Sequence, residues 1–103
     1  MPLFMEIEEL TQKMHEFVST KGWYEAGSQR PQTPKNLAIS LVLEASEVLE
    51  LFQWQENYSD KQALAEELAD VFLYLLQIAK LTDINLEEAV IKKLAINYNR
   101  TWE

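Results

Sequence analysis

Apolar residues recur along this chain at intervals of three and four, the period of a helix packed on one side. Phe4, Ile7, Leu10, Met14, Phe17 and Val18 keep that interval over residues 4–21, which predicts a first amphipathic helix ended by Gly22. A second helix is expected over about 34–54, with Pro34 suited to its first turn and Lys35 and Asn36 just after it. Ala38, Leu41, Val42, Ala45, Val48, Leu49 and Phe52 form one wide stripe on it, and Leu43, Leu51 and Trp54 lie on the other side. A third helix, over about 60–81, is rich in Ala and Leu, with Ser59 and Gln62 spaced as a capping box. A fourth, from Leu86 to about Arg100, has Asn85 as N-cap, Glu87 and Glu88 in its first turn, and Ala89, Val90 and Leu94 expected to face the core. Residues 23–35 are the long connection, kept irregular by Gly27, Pro31 and Pro34. Loops of that length are often lids or binding loops. The expected fold is all-α, a four-helix bundle.

The second and third helices carry acids where a solvated face would not put them. Glu44 and Glu47 stand at i, i+3 among Leu43, Leu51 and Trp54; Glu67 and Asp70 repeat the spacing in the third helix. A lone pair of acids at this spacing usually marks a solvated face. Two pairs in mostly apolar helices point instead to a pocket of four carboxylates. A buried carboxylate without a partner either protonates or finds a cation, and side chains at i and i+3 project side by side. An all-oxygen donor set suits Mg2+ or Mn2+, and Mg2+ prefers a few carboxylates together with substrate phosphates. A ferritin-like di-iron centre is disfavoured, because it needs a Glu-x-x-His on each of two helices. His15, the sole histidine, is expected to be a partly exposed surface residue. Glu50 and Glu66 are rotated away from the paired acids.

Composition narrows the classes further. A chain of 103 residues is one domain by length, 1–103, and its two Gly and three Pro leave little sequence for turns. A net charge of -8 argues against a nucleic-acid polymer and against an anionic membrane surface, while a small phosphate ligand carried by a divalent cation fits. Without cysteine there is neither a disulfide framework nor a thiolate zinc site. No signal peptide or transmembrane run is expected, and a cytoplasmic location is compatible with all of this.

Several other side chains have two readings. Trp23 is either a core anchor or an aromatic platform. Trp54 and Tyr74 share the acid-bearing faces and either stack a base or pack in a core or subunit contact. Lys93, Asn97 and Arg100 lie on one face of the fourth helix. They either donate to phosphate oxygens or complement the helix dipole.

The pattern resembles the MazG-like all-α nucleotide pyrophosphohydrolase superfamily, and within it the short branch that includes the dCTP pyrophosphatases. The family's ExxE, spacer, ExxD motif stands here as Glu44-Ala45-Ser46-Glu47 and Glu67-Leu68-Ala69-Asp70. Asn36-Leu37, Leu51-Phe52-Gln53-Trp54, Asp70-Val71-Phe72-Leu73-Tyr74, Lys93 with Asn97, and the upstream Phe17 and Trp23 match as well. The likeness spans about residues 14–100. The resemblance implies that Glu44, Glu47, Glu67 and Asp70 ligate Mg2+. Trp23, Trp54 and Tyr74 would line the base and sugar pocket, with Asn36 opening the second helix. Lys93 and Asn97, with Arg100 beside them, would contact the triphosphate. It implies water attack on the α-phosphorus, releasing monophosphate and pyrophosphate, with Glu47 orienting or deprotonating that water. It also implies dimers or tetramers whose helices complete each other's pockets. The second and third helices agree, being apolar on more faces than one small bundle covers. The chain departs from the dCTP-type pattern in a longer 23–35 loop, in Gln32 where those enzymes often have His, and in fewer basic residues around Arg100.

The expected function is a Mg2+-dependent (d)NTP pyrophosphohydrolase that clears the nucleotide pool. The alternative is a non-enzymatic helical oligomer that binds nucleotide or metal as a regulator or scaffold. A third possibility is hydrolysis of another pyrophosphate-containing metabolite at the same site.

Overall fold

The computed structural model describes residues 5–58 and 60–101. Four helices follow one another: α1 (Ile7–Thr20), α2 (Pro34–Glu50), α3 (Lys61–Leu81) and α4 (Leu86–Tyr98), with no strand among the described residues. Phe4, expected to begin the first helix, lies outside those residues.

α2, α3 and α4 each start where a side chain satisfies the first backbone donors, whereas α1 starts after Glu6 with no side-chain cap. The Thr33 hydroxyl accepts from the Asn36 N–H at 3.2 Å, with Pro34 in the first turn of α2. For α3 the cap is Asp60, whose carboxylate accepts from the Gln62 and Ala63 N–H groups at 3.0 and 3.2 Å. Ser59, expected in that role, lies outside the described residues. Asn85 caps α4 as expected, accepting from the Glu88 N–H at 3.0 Å. α1 ends at Thr20, and two residues on Gly22 takes a φ of 73°, a left-handed turn that a side chain would strain.

α2 is shorter than its hydrophobic pattern. It stops at Glu50, and residues 51–54 wind on as turns with bonds from Leu51, Phe52 and Gln53 to the carbonyls three residues back. Such tightening satisfies the last carbonyls without continuing the α-helix.

α2 and α1 both pack against α3, α2 the more extensively. Met14 and Val18 of α1 meet Leu76 of α3 in a small core, with Ile7, Leu10, Trp23, Tyr24 and Leu86 packed against it. Leu37 and Leu76 are fully buried. On α2 the inward residues are Leu37, Leu41, Glu44 and Val48, whereas Ala38, Val42, Ala45 and Leu49 of the expected stripe are exposed. The period alone does not choose between faces when both are apolar. α4 touches the other helices only marginally, so Ala89, Val90 and Leu94 face outward rather than into a core.

The result is an extended chain for its mass. Its accessible surface is 8448 Å², against about 6,000 Å² for a folded monomer of this size. Its radius of gyration is 16.1 Å, against about 13 Å for a compact domain of 100 residues. No helix among the described residues is long and apolar enough to cross a membrane.

Candidate active site

The pairing of α2 with α3 sets the two acidic motifs opposite each other. Glu44, Glu67 and Asp70 each offer a carboxylate oxygen, and these oxygens lie within 4.8 Å of one another. Glu47 is exposed and stands outside that trio, yet it is close enough to act on Glu44 and on Glu67. Glu50 and Glu66 are exposed.

The cluster resists ionisation. The Glu67 carboxyl is pushed up to about 7, first because Glu47 accepts its proton in a hydrogen bond, then by burial, then by the charges of Glu47, Glu44 and Asp70. Glu44 is raised above the usual carboxylate range, chiefly by burial and then by Glu47 and Asp70. One oxygen of Glu44 and one of Glu67 are shut off from solvent with no hydrogen-bond donor facing them. Shielded oxygens without donors, crowded by like charges, are a poor arrangement for a protein alone and a good one around a hard divalent cation. The residues therefore fit such an ion.

Beside the acids opens a pocket of about 690 Å³. Glu44 and Asp70 border it, together with Leu37 and Ser40 of α2 and Leu73, Tyr74 and Gln77 of α3. α1 and the 23–35 loop close the remaining sides. Trp23 stands edge-on to Phe17 with ring centres 5.7 Å apart, and the Arg30 guanidinium lies over Trp23 at 5.8 Å. Trp23 thus serves as a core contact and as a pocket wall at once. Asn36 also borders the pocket, and its amide donates to the Pro31 carbonyl at 3.0 Å, pinning the loop to the start of α2.

Of the substrate-binding candidates, Trp23, Asn36 and Tyr74 therefore reach this pocket within one chain. Trp54 does not: it follows the end of α2 and is 89% exposed. Lys93, Asn97 and Arg100, on or just beyond α4, do not line the pocket of their own chain either. His15 is half-buried and outside the carboxylate cluster, its Nδ1 3.2 Å from the Tyr24 hydroxyl.

Gln77, which its sequence motif does not single out, is 4% exposed and the one buried polar side chain among the described residues. Its position was legible, since Asp70, Tyr74 and Gln77 fall at i, i+4 and i+7 on one helix face. Lys13, Gln29 and Arg30 also line the pocket. Nothing in the local sequence singles out Gln29 and Arg30, because an irregular loop has no period to read.

A family model for the MazG nucleotide pyrophosphohydrolase domain matches residues 32–100. dCTP pyrophosphatase 1 of Mus musculus is 32% identical over 103 residues, covering 91% of this chain and 58% of its own length. The protein of that name from Homo sapiens is 33% identical over the same shares. The chain thus spans less than two thirds of the curated relatives it matches. Among solved structures, a pyrophosphatase from Archaeoglobus fulgidus is 37% identical, with a TM-score of 0.75 over 94% of this chain and 93% of its own. With the acidic motifs facing each other across two helices and the family match running from the long loop through α4, the chain belongs to the MazG nucleotide pyrophosphohydrolase family.

Proposed function

We propose that the chain is a Mg2+-dependent (d)NTP pyrophosphohydrolase, converting a nucleoside triphosphate to the monophosphate and pyrophosphate. The observation that carries this reading is the crowding of Glu44, Glu67 and Asp70 within 4.8 Å at the border of a largely apolar pocket. The substrate's two ends find complementary surroundings there. Its phosphates belong at the acids, where a bound divalent ion would reconcile anion with anion. Its base and sugar belong among Trp23, Tyr74 and Leu37.

Glu44, Glu47, Glu67 and Asp70 would hold Mg2+, with Mn2+ as a substitute. Bound there, the ion supplies charge neutralisation at the phosphates and lowers the pKa of water. Glu47, exposed and outside the close trio of Glu44, Glu67 and Asp70, would orient a water and take its proton. The water oxygen bonds to the α-phosphorus as the bond from that phosphorus to the bridging oxygen breaks, and pyrophosphate leaves with that oxygen. Asn36 holds the pocket wall in place through Pro31.

Trp54, Lys93, Asn97 and Arg100 take their roles in a homodimer or homotetramer. The support is the outward-facing apolar surface of α2 and α4, with Val42 68% and Leu49 69% exposed, and the large accessible area of the single chain. In such an assembly α4 of one copy brings its cationic and amide donors to the pocket of another.

The test is a panel of (d)NTPs incubated with Mg2+, with products identified. Monophosphate and pyrophosphate support the proposal. Metal binding without turnover on any nucleotide would favour the regulator or scaffold, and turnover of a different pyrophosphate-containing metabolite would reassign the substrate.

A further inference from the structure

A chain of side-chain hydrogen bonds crosses the wall of the pocket, and its polarity is fixed at one end by the backbone. The Gln32 amide nitrogen donates to the Arg30 carbonyl at 2.7 Å. A backbone carbonyl only accepts, so Gln32 must present its nitrogen there and its oxygen elsewhere. That oxygen accepts from the Gln77 amide nitrogen, again at 2.7 Å. The orientation of Gln77 follows by the same logic: its nitrogen is committed to Gln32. The Gln77 amide also bears on the Tyr24 phenol, opposing the rise that burial imposes on it, and Tyr24 in turn meets His15 Nδ1 at 3.2 Å. With its nitrogen committed to Gln32, and acting as a donor in its pull on the Tyr24 phenol, Gln77 offers the lone pairs of its Oε1 to an occupant of the pocket it borders.

We infer that Gln77, held in one amide orientation by Gln32, selects nucleobases that carry an exocyclic amino group and rejects their keto counterparts. This rests on the hydrolase reading above and adds to it the chemical class of base. Gln77 lies seven residues beyond Asp70 on α3, about 10 Å along the axis. That separation matches the reach from the amino group of a cytosine to its α-phosphate. An N4–H2 or N6–H2 group donates to the Gln77 oxygen. A keto oxygen at the same place sets acceptor against acceptor in a buried setting, where an unpaired polar group is costly. Because Gln32 cannot turn without losing the Arg30 carbonyl, Gln77 cannot turn to accommodate the keto base.

The experiment compares kcat/KM for dCTP and dUTP, which differ only by this amino-to-keto exchange and its N3 proton. Where purines are the better substrates, dATP and dITP make the same comparison. The wild-type chain is expected to favour the amino base by about tenfold or more. Gln77→Met removes the acceptor, and Gln32→Leu lets Gln77 turn end for end. Each is expected to bring the ratio within about threefold of unity, the first by lowering the amino base and the second by raising the keto base. A merely structural role for either residue would lower both substrates together and leave the ratio alone. Equal rates on both bases by the wild-type chain would overturn the inference without need of any variant, as would an unchanged ratio in the folded variants. Absence of turnover on every nucleotide would remove the hydrolase reading itself and this inference with it.

Discussion

The carboxyl groups of Glu47 on α2 and Glu67 on α3 face each other closely enough to share a proton, and Glu67 keeps it up to about pH 7. In the unfolded chain the same group ionises near the ordinary carboxylate value of 4.5. Between those values the folded chain holds a proton that the unfolded chain has released, so raising the pH favours unfolding. The stabilising contribution is present in full below 4.5 and is lost as pH passes 7, and the raised Glu44 acts in the same sense. The metal-free chain should therefore melt at a lower temperature at about pH 8 than at about pH 5. A melting temperature that stays level or climbs over that range would contradict the shared proton.

Mg2+ should reverse this trend. Binding to the cluster requires the ionised acids, so affinity should rise as pH passes 7 and protons should be released on binding. The increase in melting temperature on adding Mg2+ should be larger at about pH 8 than at about pH 5. Calorimetric titration in two buffers of different ionisation enthalpy would count the protons. Zero release at neutral pH would mean that the ion binds elsewhere or not at all.

The small core makes a separate prediction. Leu76 is 1% exposed and joins α3 to Met14 and Val18 of α1. Leu76→Ala should cost about 2–5 kcal/mol of folding free energy, measured by denaturant unfolding. Val42→Ala, on the exposed side of α2, would cost much less in a monomer.

That exposed side is the place to test assembly. Val42→Glu together with Leu49→Glu should reduce the assembly to smaller species and lower activity, because the donors of α4 would no longer reach a neighbour's pocket. Sedimentation at micromolar concentration should show a dimer or tetramer for the unmodified chain. A single 12.0 kDa species with full activity would contradict it.

The number, order and approximate limits of the helices were legible because each repeats its apolar residues at helical spacing, and Pro34 and Asn85 mark the starts of α2 and α4. The acids were legible because Glu44 and Glu67 interrupt apolar runs without a cationic neighbour. What the pattern could not decide was which of two apolar faces turns inward. α2 buries Leu37, half-buries Leu41 and leaves Val42 and Leu49 outside, and α4 turns Val90 and Leu94 to solvent. Periodicity records that a face wants burial and not which chain supplies it. Arg30 and Gln29 were hidden for a different reason, since their place in the pocket depends on the path of the long irregular loop that lines it together with α1.

The account stands on the four acids acting together, and the most direct measurement is the Mg2+ dependence of pyrophosphate release by the unmodified chain and by Asp70→Asn. The unmodified chain should be silent with a chelator and recover saturably as Mg2+ is added. Asp70→Asn should fall by about 100-fold or more while keeping its helical signal. Near-normal turnover by Asp70→Asn, or full turnover in excess chelator, would contradict the assignment of this carboxylate cluster as the catalytic centre.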